Sequence, residues 1–274
     1  MNLRAVLAPF ALILTFAGAA LADRAEEIDA LMQVLRVQDT IEIMQEEGAL
    51  YGGEIARDLI PDVDPTLWSG VIEKIYDEAK MHEVLEAGFT TALTDTDLAP
   101  IMAYFTTDEV RDILALELSA RRAFLDRETE AYAAARWLEL SGKDSSLVSQ
   151  VEELINDSDL VERNVMGTLN ADLMFYQGLT EGGAFELSEE EILADVWANE
   201  EELRRSTREW LQSFLLMSYQ PVDAATLEEY AAFWRTEAGQ DLNRAIFVAF
   251  DQMYEDLAYL LGLAIAEQMQ IEEL

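Results

Sequence analysis

An all-α fold, a multi-helix bundle built from two similar helical units with no significant sheet, is predicted by three observations. Apolar residues recur at three- and four-residue steps along most of the chain, the spacing of one helix face. Helix-starting residues stand ahead of these segments, most clearly Ser188 with Glu191 three positions on, the spacing of a capping box. No stretch of useful length alternates as a strand does. The 5 prolines and 13 glycines fall mostly between periodic segments, where they punctuate helices.

A positive amino-terminal region with Arg4, an apolar run from Ala5 to Phe16 and an Ala20-Leu21-Ala22 cleavage signal read as a signal peptide over 1–22. Charge returns at Asp23 and Arg24, so the apolar run is too short to span a bilayer. A first helix is expected over about 24–37, and a second from Asp39, as N-cap, toward Leu59. Asp64 caps a helix with Pro65 at its first position, where a missing N–H costs nothing, and that helix is expected to reach Leu93.

A short helix over 96–104 then breaks at Thr106-Thr107, and a long one is expected from Asp108 to Leu140. Ser141 to Ser145 reads as a linker, followed by helices over 146–156 and 159–177 and a glycine-rich loop from Gly178 to Phe185. The Ser188 box starts a helix expected to reach Ser218, and Pro221 with Asp223 starts one that breaks at Thr236. The last helix carries the plainest pattern: Leu242, Ile246, Phe250, Met253, Leu257, Leu260 and Ala264, with Phe247, Tyr254 and Leu261 beside them. Its face is wide, which predicts a central position.

Charge and cysteine content narrow the function classes. With 18 basic and 55 acidic residues the net charge is −37, a field that repels nucleic acid and anionic lipid and suits a protein partner or a cationic ligand. The chain has no cysteine, so neither a disulfide nor a lipidated cysteine at the cleavage site is available. A periplasmic or secreted protein, without an integral membrane segment after cleavage, is the expectation.

The chain also matches itself. Leu98, Tyr104, Phe105, Thr107 and Asp108 align with Leu227, Phe233, Trp234, Thr236 and Glu237 at an offset of 129, which Trp68 and Trp197 share. Upstream the offset becomes 119, where Gly48 falls on Gly167. Two units are therefore expected, over 23–141 and 146–274.

The run Phe233-Trp234-Arg235-Thr236-Glu237-Ala238-Gly239-Gln240 resembles the aromatic–aromatic–x–Thr–x–x–Gly–Gln signature of the bacterial exported helical family called domain of unknown function 2059. The resemblance covers 221–262 and is weaker in the first copy, where Val110 and Arg111 replace the glycine and glutamine. It implies an exported all-helical protein and supplies no activity. Physically, Phe233, Trp234, Thr236, Gly239 and Gln240 read as a helix corner: an aromatic pair, a capping hydroxyl, a close backbone approach and an amide for loose backbone groups.

Chemical motifs are sparse. His82 is the single histidine and shares a mainly apolar face with Ile75, Ala79 and Phe89. It nominates neither a catalytic triad nor a zinc site. Asp95 with Asp97, and Asp157 with Asp159, open like calcium loops, but Pro100 and Glu162 stand where glycine is needed, so they read as helix N-caps. Gly52-Gly53 and Gly182-Gly183 lack the setting of a phosphate loop. No cofactor, metal site or catalytic residue is assigned. The expectation is a non-enzymatic interaction or envelope-associated role; a carboxylate-dependent hydrolase or lyase and a divalent-cation-responsive protein are the alternatives.

Overall fold

The computed structural model describes residues 13–272, with side chains over 24–270. The signal peptide expected over 1–22 lies outside the residues whose side chains are described. Among the described residues there are thirteen helices and no strand. They are α1 (Ile13–Val34), α2 (Val37–Leu59), α3 (Pro65–Ile75), α4 (Glu78–Ala92), α5 (Ala99–Phe105), α6 (Asp108–Ala123) and α7 (Arg127–Ser141). After the linker follow α8 (Ser146–Asp157), α9 (Leu160–Glu181), α10 (Glu189–Ala198), α11 (Glu200–Tyr219), α12 (Ala224–Trp234) and α13 (Glu237–Glu272). No described helix is long and apolar enough to cross a membrane.

The strongest sequence signals act locally as their chemistry requires. Asp64 accepts the N–H groups of Thr66 and Leu67, with Pro65 opening α3. Ser188 and Glu191 close a reciprocal capping box on α10, and Asp223 accepts from Ala225 and Thr226. Each such cap satisfies donors that a helix start leaves unpaired, and is worth about 1 kcal/mol.

Several expected helices are cut where a cap sits inside unbroken apolar periodicity. The helix expected to run to Leu93 stops at Tyr76, because Asp77 takes an extended backbone and accepts from Lys80 N–H at 3.0 Å. The one expected over 108–140 is cut by Asp126, which accepts from Glu128 N–H and the Thr129 hydroxyl. The one from Ser188 is divided at Asn199. Asp39 is no N-cap: α2 begins at Val37 behind a left-handed Arg36, and Asp39 in its first turn pairs with that arginine. Asp157 likewise caps nothing; it ends α8 and pairs with Arg235 at 2.8 Å.

Gly178 corrects the loop expected from that residue onward. It is helical, and α9 continues to Glu181. A Cβ on Gly178 would meet the Tyr259 carbonyl and Gly262, while one on Gly262 would meet the Phe175 carbonyl and Gly178. The two glycines let α9 and α13 cross with backbones in contact.

α13 packs against α9, α4, α12, α3, α5 and α2. The seam it buries is Leu242, Ala245, Ala249, Met253, Leu257, Leu261 and Ile265; Tyr254 and Leu260, expected on the core face, stay exposed. One continuous core holds residues from both sides of the 141–145 linker. Helices of the two halves also pack on each other: α13 lies on α4, and α6 lies on α11. Left-handed residues, Arg36 (φ 57°) and Asp159 (φ 53°), precede the long helices α2 and α9.

Candidate functional site

A cleft of about 650 Å³ opens between the halves. α2 and α6 of the first half and α9 and α13 of the second supply nearly all its walls, with Tyr76 at the end of α3. The apolar part is Met44, Phe175, Ile246, Phe247, Phe250 and Leu257. This combination of apolar wall and a few converging polar groups is the usual form of a small-molecule site.

The polar groups fall into two sets. On one side, Arg121 Nε and Nη2 donate to the two oxygens of Glu47, each at 2.8 Å, and Nη2 also donates to Tyr254 Oη at 3.0 Å. Burial works against the guanidinium charge, but Tyr254 and Glu47 outweigh it and keep Arg121 protonated. Such a two-point carboxylate contact fixes geometry as well as charge. Burial also raises the Tyr76 hydroxyl, with Tyr254, Tyr51 and Glu47 adding to the shift.

The second set is acidic. Burial pushes Asp251 up to about 6, with Glu255 adding and Arg163 opposing. Residue 167 is glycine where Asp251 approaches the wall, and an added Cβ there would press on its carboxylate. Asp172 lies on the exposed rim, and its carboxyl is raised by partial desolvation. Carboxylates shifted this way inside a cleft hold or move protons near neutral pH more readily than free ones.

No family model, curated protein or solved structure matches this chain.

The residues singled out by sequence lie elsewhere. Phe233, Trp234, Thr236, Gly239 and Gln240 meet at the α12–α13 corner, where their groups are used internally. Thr236 Oγ1 accepts from Gly239 N–H at 3.1 Å and donates to the Phe233 carbonyl at 2.6 Å. Gln240 Nε2 donates to the Trp234 carbonyl at 2.5 Å, and a Cβ on Gly239 would collide with the backbone of Phe233 and Trp234. His82 is half-buried on α4 and does not line the cleft. Among the described residues no group of three or more His, Asp or Glu side chains is placed to hold a metal ion.

The cleft residues Glu47, Tyr51, Tyr76, Arg121, Asp172, Asp251 and Tyr254 carried no sequence motif. One signal pointed toward them. Gly48 and Gly167, paired by the internal match, both line the cleft.

Proposed function

We propose that this chain is an exported binding protein, non-enzymatic, that holds an amphipathic small molecule in the cleft between two related helical units. The observation that carries this is the cleft itself: about 650 Å³, walled by aromatic and aliphatic side chains, with polar groups gathered at separate points. The apolar body of a ligand would lie on Phe175, Phe247, Phe250 and Leu257. Its polar end would face Asp251 and the tyrosines, and Arg121 is already committed to Glu47.

Export rests on the leader pattern over 1–22, and placement in the domain of unknown function 2059 family rests on the 233–240 signature. Two related units are supported by contacts between aligned positions. Tyr104 and Phe233, 129 apart, stack on each other at 4.0 Å with planes 4° from parallel. Thr107 and Thr236 each donate to the carbonyl of the aligned aromatic three residues before, at 2.8 and 2.6 Å. Contact between equivalent positions is what a two-fold relation between units produces.

The test is a titration of the full chain with 1-N-phenylnaphthylamine, an apolar dye whose emission rises out of water. The chain should bind it, and Ala171→Phe, which puts a ring into the cleft, should weaken binding at least ten-fold with helicity by circular dichroism unchanged. Equal binding by both proteins contradicts the reading. A carboxylate-dependent enzyme would instead show turnover that Asp251→Asn abolishes.

A further inference from the structure

A second pocket, of about 340 Å³, lies between the halves, bounded by α2, α6, α8, α11, α12 and α13 with Phe89 and Phe105 behind. Every residue lining it is buried or half-buried. Its walls are largely aromatic: Phe89, Phe105, Phe214, Trp234, Phe247 and Phe250.

Into this apolar space the chain sets one carboxylate, Glu117. Its Oε1 accepts from Tyr219 Oη at 2.6 Å and from Tyr230 Oη at 3.0 Å. Oε2 takes part in no hydrogen bond among the described residues, and no ion pair there includes Glu117; Arg121, one turn on, is held by Glu47. Desolvation raises the Glu117 carboxyl, and the two tyrosine hydroxyls only partly pull it back. Glu117 is half-buried, and its Oε2 is not one of the fully buried polar atoms left without a partner, so that oxygen stays open to an incoming donor.

Independently, Ser158 lines the same pocket, is 3% exposed, and its Oγ has no hydrogen-bond partner. Buried hydroxyls are nearly always satisfied, so an unsatisfied one facing a pocket marks a place for a missing partner.

We propose that this inner pocket is a second binding site, for a compact lipophilic ammonium ion whose N–H groups reach Glu117 Oε2 and whose apolar part fills the aromatic walls. A primary ammonium supplies what the site lacks: a counterion for the carboxylate and donors for its free oxygen. Aromatic faces favour a cation further. A neutral ligand of the same shape satisfies the walls and leaves the charge alone, so the site discriminates by charge. The site is distinct from the outer cleft, with which it shares only Ile246, Phe247 and Phe250.

The test is calorimetric titration of the full chain at pH 7.5 with 2-phenylethylammonium and with its neutral counterpart 2-phenylethanol. The ammonium should bind at least ten times more tightly. Glu117→Gln should erase that preference, and Asp251→Asn, in the outer cleft, should leave it intact. Equal binding of the two compounds, a preference that survives Glu117→Gln, or one lost in Asp251→Asn overturns the proposal. Should Glu117→Gln lose its helicity, photolabelling of the unaltered chain with 2-(4-azidophenyl)ethylammonium decides: labels on Leu215 or Trp234 support the inner site, and labels on Tyr51 or Ala171 overturn it.

Discussion

At the α12–α13 corner, Thr236, Gly239 and Gln240 tie the start of α13 to the end of α12 through a cap, a backbone approach and an amide bond. At the α5–α6 corner Thr107 keeps its bond to the Tyr104 carbonyl but caps nothing. Val110 and Arg111 stand where the glycine and glutamine would be. Val110 is buried, while Arg111 forms an exposed pair with Asp108 at 2.7 Å. The difference follows the helices each corner launches. α13 is 36 residues long and runs through the shared core, so its direction must be fixed closely; α6 is 16 residues long and tolerates a looser start. The two corners then meet through Tyr104 and Phe233, with Phe105 edge-on to both Phe233 and Trp234.

The largest break in this comparison comes from its shared contact. Phe233→Ala removes a buried ring from both corners and should cost about 4 kcal/mol in urea unfolding. Gly239→Val forces a side chain into the Phe233 carbonyl and should cost about 3 kcal/mol, an over-packing penalty. If Gly239→Val melted with the unaltered chain, the close approach would carry no weight.

Smaller substitutions sharpen the contrast. Thr236→Ala deletes a working cap and should lose about 1 kcal/mol, against a few tenths for Thr107→Ala. Equal losses would erase the asymmetry. On the helices launched by the two corners, Arg122 pairs with Glu46 at 3.2 Å, while Asp251 is pushed up to about 6 by burial. A raised carboxyl binds its proton more tightly in the folded chain, so stability falls as pH rises from about 4 to about 6. Asp251→Asn should therefore gain stability at pH 7.5, about 1 kcal/mol after solvent screening, and nothing near pH 4, as thermal melts at both values would show. Arg111→Ala, on the exposed pair, should change stability by less than about 0.5 kcal/mol.

How much of this was legible in the sequence depended on the range of each signal. Asp64, Ser188 with Glu191, and Asp223 act within three residues, and their helix starts could be read directly. Asp77, Asp126 and Asn199 cut helices where the apolar periodicity runs on, so the core pattern masked the breaks. Gly178 looked like punctuation because glycine usually is; its use as a crossing point depends on Gly262, far along the chain. The cleft is assembled from α2, α6, α9 and α13, and Arg121 meets Glu47 and Tyr254 only through tertiary packing. Glu117 is one acid among many in the sequence, and only the fold brings Tyr219 and Tyr230 to its Oε1.

The central claim is that the binding cleft belongs to both halves at once. Hydrogen exchange of the full chain, with and without saturating 1-N-phenylnaphthylamine, tests it most directly. The account predicts slowed exchange in α2 and α6 as well as in α9 and α13, with little change in α7 or α8. Protection confined to the helices of one half would contradict it.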